Sequence, residues 1–219
     1  MNMKSFFYKN SLSICLLFIF LLCLLAQVYT GWKEYNKDML DDNGPLVSFW
    51  GYLCTSHFYE ATAENWESEF LQMGMYVILT IFLRQKGSSE SKKIDEKEAV
   101  DRKPVVQKNS PWPVKKGGLW LKLYKHSLSL AFLLLFLLSF SIHVTASLAE
   151  YNKEQILKGK ATQDLFEFIG SSRLWFESFQ NWQSEFLAVL SIVVLSIFLR
   201  QQGSPESKQV DAPNSQTGD

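Results

Sequence analysis

The side chains best suited to chemistry occur in two copies of one string, NWESEFL at 65–71 and NWQSEFL at 181–187. Asn65 and Glu69 are four residues apart, as are Asn181 and Glu185, so each pair shares one face of a helix. If the pairs faced one another, four polar side chains could bind a cation or pass a proton, because a carboxyl group beside hydrocarbon resists ionisation. In the simpler alternative, Trp66 and Trp182 sit in the aromatic belt of a membrane and the glutamates are solvated at headgroup level. Gln27 and His143 occupy matching positions further along the same alignment. They would bond a neighbouring helix or interfacial water, or act as a ligand or proton relay. His57 corresponds to Arg173, so no histidine recurs, which argues against a symmetric histidine metal site.

Other chemistry is poorly supplied. Cys15 and Cys23 lie in an apolar run and Cys54 stands alone in a loop, without the CxxC or Cys/His spacing of a zinc site or a disulfide framework. GxSxG, HExxH, GxxxxGK(S/T) and GxGxxG are all missing. The reading is therefore of a non-enzyme, with no cofactor and no metal. Equal numbers of basic and acidic residues, 22 of each, and no basic face interleaved with aromatics argue against nucleic acid as a partner.

The elements that must position these residues are apolar. An uncharged run at 12–30, LSICLLFIFLLCLLAQVYT, is long enough to cross the hydrocarbon of a bilayer. Its near-copy at 127–146 lies deep in the chain, which opposes reading the first run as a cleaved signal peptide. The apolar runs at 70–83 and 186–199 are shorter, and they span only if Trp66 or Trp182 and the acids of the first turn reach the headgroups; a re-entrant segment is the alternative. Charge asymmetry favours crossing. The stretch between Leu83 and the third run carries 12 Lys and Arg residues, while residues 32–69 carry only Lys33 and Lys37 against eight acids. The positive-inside rule then places the linker in the cytoplasm, and Lys4 and Lys9 place the N-terminus there too.

Residues 8–92 align without a gap to residues 124–208, at an offset of 116, with 33 of 85 positions identical. EYNK recurs at 34–37 and 150–153, and IFLRQKGSSESK at 81–92 returns as IFLRQQGSPESK. The expected fold is an all-α membrane protein of four transmembrane helices arranged as two parallel tandem two-helix repeats. The repeats would occupy 1–86 and 119–202, with a flexible cytoplasmic linker at 87–118 and a disordered cytoplasmic tail at 203–219. Gly87 and Gly203 stand where a glycine just past a helix end is expected, after Arg84 and Arg200, which suit the negative end of the helix dipole. Trp66, Trp182, Arg84 and Arg200 are expected as interface anchors, and Tyr35 and Lys37 of EYNK likewise.

The outer loops are aromatic. Tyr59, Ala63, Trp66 and Phe70 follow helical spacing, as do Trp175, Phe179, Trp182 and Phe186, so each second helix should start at Thr55–Ser56 or Ser171–Ser172 with a hydroxyl cap. Residues 46–53 and 164–170 should each form a short amphipathic helix. Such a surface would meet a membrane-protein partner or a second copy of the chain, with the lipid bilayer around the spans. The rival function is a small transporter or channel built on the Asn/Glu pairs.

With NWxSEFLQ and FLRQxGSxESK in hand, the chain resembles a family of small bacterial integral membrane proteins known only as a domain of unknown function. The second copy departs at Gln183 for Glu67 and at Ala188 for Gln72. The resemblance implies a bacterial cell (inner) membrane and brings no activity with it.

Overall fold

The structure, a computed structural model, describes residues 3–218, which are helical or irregular with no strand among them. The helices are α1 (Met3–Lys9), α2 (Ser11–Asp41), α3 (Phe49–Tyr52), α4 (Ser56–Phe82), α5 (Trp112–Lys116), α6 (Gly118–Lys125), α7 (Ser127–Leu157), α8 (Leu165–Ile169) and α9 (Ser172–Phe198), with a 3-10 turn at Ala99–Asp101. The long helices recur in register: α7 starts and ends 116 residues after α2, and α9 does so after α4.

Among the described residues, three helices are by length and composition long and apolar enough to cross a membrane: α2, α7 and α9. The apolar runs predict four. The helix that falls short is α4, which has the same 27-residue length as α9. Its deficit is compositional. Gln72, Gly74 and Tyr76 stand where α9 has Ala188, Leu190 and Ile192, and each exchange lowers the apolar content, while Glu67 in place of Gln183 adds a charge. Most large apolar side chains of α2 and α7 are exposed. Such surface is stable only against lipid or another apolar partner.

The second helices start where the aromatic stripe predicts. Thr55 Oγ1 accepts the amide of Phe58 at 3.3 Å, and Ser171 caps α9 by accepting the amide of Leu174 at 3.5 Å. α8 carries a full capping box, with Asp164 and Glu167 each accepting the other's amide. α3 is capped by Ser48, which accepts from the amide of Gly51.

The chain divides into two compact units, Met1–Thr62 with Ile142–Gly170, and Ala63–Ser141 with Ser171–Asp219. Each draws on both halves of the sequence. The first is organised around α2, where Val28, Tyr35 and Met39 pack with Tyr52 of α3, flanked by Trp32, Val47, Phe49 and Phe58. Gly31 makes this packing feasible, because a Cβ there would overlap the Tyr52 hydroxyl. At the matching positions the chain has Ser147 and Phe168, so the ring without a hydroxyl goes with the residue that has a Cβ.

The second unit shows what the repeated FLRQxGSxESK string does. α4 and α9 end at Phe82 and Phe198, so Gly87 and Gly203 are not the residues that close the helices. Both glycines sit in the turn that follows, with φ of +89° and +85°, a region that side chains with a Cβ avoid. Ser88 and Ser204 amides donate to the Gln85 and Gln201 carbonyls at 3.3 and 3.2 Å. Ser91 and Ser207 hydroxyls accept the Gln85 and Gln201 amides at 2.9 and 2.8 Å. Arg84 and Arg200 donate to carbonyls left open by the last helical turn: Ile81 and Leu83 for Arg84, Ser196, Ile197 and Leu199 for Arg200. The module thus satisfies the helix end by folding back on it.

Composition alone marks residues 203–219 as a disordered tail, yet Lys208, Thr217 and Gly218 are bonded to the turn after α4. The Lys208 ammonium donates to the Gly87 carbonyl and to those of Pro213 (3.4 Å), Asn214 (3.3 Å) and Gln216 (3.0 Å). The Thr217 hydroxyl accepts the Gly87 amide at 2.8 Å, and the Gly218 amide donates to the Ser88 carbonyl at 2.9 Å. Burial, with a smaller contribution from the Arg200 charge, holds the Lys208 pKa below the usual lysine range.

Candidate functional site

In the first unit the two EYNK copies meet. Asn36 and Asn152 each clamp the backbone of a residue 11 positions on. The Asn36 amide donates to the Val47 carbonyl at 2.9 Å and its oxygen accepts the Val47 amide at 2.8 Å. Asn152 makes the same two bonds to Gln163, at 2.9 and 2.8 Å. A carboxamide matches a peptide group in both donor and acceptor, so one side chain fixes both polar atoms of a loop residue. The clamps hold the entry to α3 and to α8. Trp32 adds a second donor to Val47, at 2.9 Å.

Between the clamps lies a polar cluster. Lys153 donates to the Tyr35 hydroxyl, sits 4.2 Å from the centre of that ring, and pairs with Glu150 at 3.2 Å. Glu150 also accepts from the Ser56 hydroxyl at 2.6 Å. The Tyr52 hydroxyl and His57 Nδ1 are 3.0 Å apart. Burial, followed by the Glu150 charge and Tyr35, pushes the Tyr52 pKa up to about 12. The corresponding ion pair of the first copy, Lys37 with Glu34 at 2.8 Å, is solvent-exposed. So the expected anchors of EYNK divide: Lys37 is at the surface, while Tyr35 is buried. Gln27 meets a neighbouring helix, donating to Thr62 at 3.2 Å, and His143 is fully buried.

The NW(E/Q)SEF strings lie in the second unit and are used differently in the two copies. Asn65 and Glu69 are on the exposed face of α4, whereas Asn181 and Glu185 are half-buried. The acid brought inside is Glu67, which is fully buried and accepts from Ser178 (3.1 Å) and from the Trp182 ring nitrogen (3.3 Å). Asn181 donates to Glu64, not to an opposing Asn/Glu pair. Gln72 donates to the Glu185 carbonyl at 3.5 Å. Trp182 is therefore a hydrogen-bonding partner inside the unit, while Trp66 is exposed. Both departures between the copies, Glu67 for Gln183 and Gln72 for Ala188, fall on this network. That divergence was the available signal, since a buried polar role present in one copy alone breaks the repeat.

The most exposed large aromatics of the two short helices are Trp50 (75%) and Phe166 (85%), which occupy matching positions. Each is close in sequence to a buried aromatic, Tyr52 and Phe168, that packs at a tilt against a tyrosine of EYNK: Tyr35 with Tyr52 at 5.7 Å, Tyr151 with Phe168 at 5.8 Å. The short helices are thus pinned by a clamp and a buried ring while presenting an apolar ring outward. Among the described residues no group of three metal-ligating side chains is gathered.

A family model described as a domain of unknown function (DUF6766) matches residues 3–219, and the chain belongs to that family. No curated protein and no solved structure matches it.

Proposed function

We propose that this DUF6766 protein is a non-enzymatic, multi-pass protein of a bacterial cell (inner) membrane whose outer face is an interaction surface. Its four long helices cross as two parallel tandem repeats, with the basic linker and both termini in the cytoplasm. The observation that carries the reading is the pair Trp50 and Phe166. Both are large, apolar and exposed, yet each is mounted on a short helix fixed by an asparagine clamp and a buried ring. Rigid aromatic side chains that need no ordering on contact are typical anchors of interfaces. Their loops lie outside the apolar runs, so lipid tails do not account for them.

The partner is another membrane protein or a second copy of this chain. A photo-crosslinking residue placed at Trp50 or Phe166, activated in intact membranes, should give a discrete adduct heavier than the monomer. Recovery of monomer alone from both positions would contradict the proposal. The transport alternative, with Asn65, Glu69, Asn181 and Glu185 converging at a pseudo-twofold axis, has less support, because Asn65 and Glu69 are exposed while the buried acid is Glu67, replaced by Gln183 in the other copy.

A further inference from the structure

Two clefts of unlike character adjoin in the second unit. One, of about 360 Å³, is walled by Leu79, Leu83, Phe186, Val189, Leu190 and Val193. The other, of about 910 Å³, is polar and includes Lys92, Lys93, Lys97, Lys125 and His126. They share Tyr76, Thr80, Glu90 and Ser91 as lining residues, so a hydrocarbon wall and a charged one adjoin. Both volumes fall within or near the roughly 300–1,000 Å³ of ordinary ligand sites.

The charges in the polar cleft are partly used internally. Lys92 pairs with Asp101 at 2.6 Å and Lys93 with Glu96 at 3.6 Å. Glu90 accepts from Tyr76 at 2.9 Å, and Glu98 accepts the Lys93 amide at 2.6 Å. Lys97 and Lys125 make no ion pair among the described residues, and neither do Glu90 and Glu98, so beyond its internal pairs the cleft holds two ammonium groups and two carboxylates, with the ammonium groups placed to meet an anion.

The neighbouring chain sets the level of this cleft. α5 and α6 carry exposed Trp112, Leu119, Trp120 and Leu123 beside Lys115, Lys116, Lys122 and Lys125, and Lys116 lies 4.8 and 4.9 Å from the centres of the Trp112 and Trp120 rings. Tryptophan and lysine mixed on short helices fit the membrane surface, with rings at the acyl boundary and ammonium groups among phosphates. Lys125 closes α6 and borders the cleft, so its ammonium belongs at headgroup depth. The apolar cleft is lined by the long-helix side chains of α4 and α9, which belong at acyl depth.

We propose that this paired cleft is a binding site for one glycerophospholipid, an acyl chain in the apolar chamber and the phosphodiester on Lys97 and Lys125. A phospholipid offers an acyl chain to the apolar wall and a phosphodiester to Lys97 and Lys125 at once, where a free anion would leave the apolar chamber empty and diacylglycerol would bring no phosphate.

The test uses the full chain in detergent, with retained lipid counted by native mass spectrometry and stability followed by thermal unfolding. Phosphatidylglycerol should bind as a single saturable equivalent and raise the unfolding midpoint. Diacylglycerol, which lacks the phosphate, and glycerol phosphate, which lacks the chains, should do neither. Lys97→Gln/Lys125→Gln, at exposed positions that leave the fold intact, should weaken phosphatidylglycerol about tenfold, equivalent to about 1.4 kcal/mol. Leu79→Trp, which fills the apolar chamber, should abolish the saturable equivalent while the protein still unfolds cooperatively. Equal retention of diacylglycerol, unchanged affinity in the lysine variant, or uptake that never saturates would each overturn the proposal.

Discussion

At the scale of single residues, the asparagines of EYNK matter more than their charged neighbours. Asn36 and Asn152 each make two hydrogen bonds to one loop residue. Alanine at either position leaves a loop amide and carbonyl without their partner, and part-buried groups of this kind cost about 1–3 kcal/mol when unmade. Asn36→Ala and Asn152→Ala should each lower the thermal midpoint and broaden labelling of the adjoining short helix, and Lys37→Ala should not, since its pair with Glu34 is exposed. The string is legible in the sequence as a repeat, but the clamp is not, because the partner lies 11 residues away and the spacing encodes no bidentate contact. Tyr52 gives a pH test. Its folded pKa is raised by burial to about 12 from an ordinary value of 10.0. The folded state therefore keeps the proton longer than the unfolded chain does. That contribution to stability is whole below about pH 10 and is lost as pH rises towards about 12. Tyr52→Phe, which copies Phe168, should flatten the alkaline fall of the midpoint in that window.

At the scale of elements, helix starts are readable from the sequence and helix ends are not. The aromatic stripe and the hydroxyls at Thr55 and Ser171 locate the starts of α4 and α9, since stripe and cap are local signals. The ends depend on Ser91 and Ser207 reaching back six residues to the Gln85 and Gln201 amides, a loop contact that a C-terminal glycine rule does not anticipate. The two copies of this module provide a matched experiment. Gly87 and Gly203 both have positive φ, but a Cβ on Gly87 would overlap the Asn214 carbonyl, while one on Gly203 meets open space. Gly203→Ala should cost about 1 kcal/mol from backbone strain alone. Gly87→Ala should cost clearly more, and should also release the tail, seen as faster proteolysis near Asn214. Apolar content is the other lesson at this scale. α4 and α9 match in length, yet α4 carries Gln72, Gly74 and Tyr76 where α9 has Ala188, Leu190 and Ile192, and its buried Glu67 is bonded to Ser178 and Trp182. The largely apolar run at 70–83 does not show which polar neighbours are satisfied inside.

At the scale of the whole molecule, the proposed topology gives the chain two unlike faces. On that proposal the Asn clamps and aromatic short helices would lie on the outer face, and the Arg-capped helix termini with the basic linker on the cytoplasmic one. The proposed division rests on the pattern of apolar runs and on the segregation of lysine and arginine, both of which are properties of whole segments. Which polar side chains pair within each face is written only in the divergence of the two copies. Sidedness bears most directly on this topology. The three native cysteines, all exposed, are first replaced. Single cysteines are then placed at Asp42, Lys97 and Asn214, and intact cells are treated with a membrane-impermeant maleimide. Labelling is expected at Asp42 without permeabilisation, and at Lys97 and Asn214 only after it. Labelling of Asp42 and Lys97 from the same side would mean that α4 does not cross, and the four-crossing arrangement with its outer interaction face would be wrong.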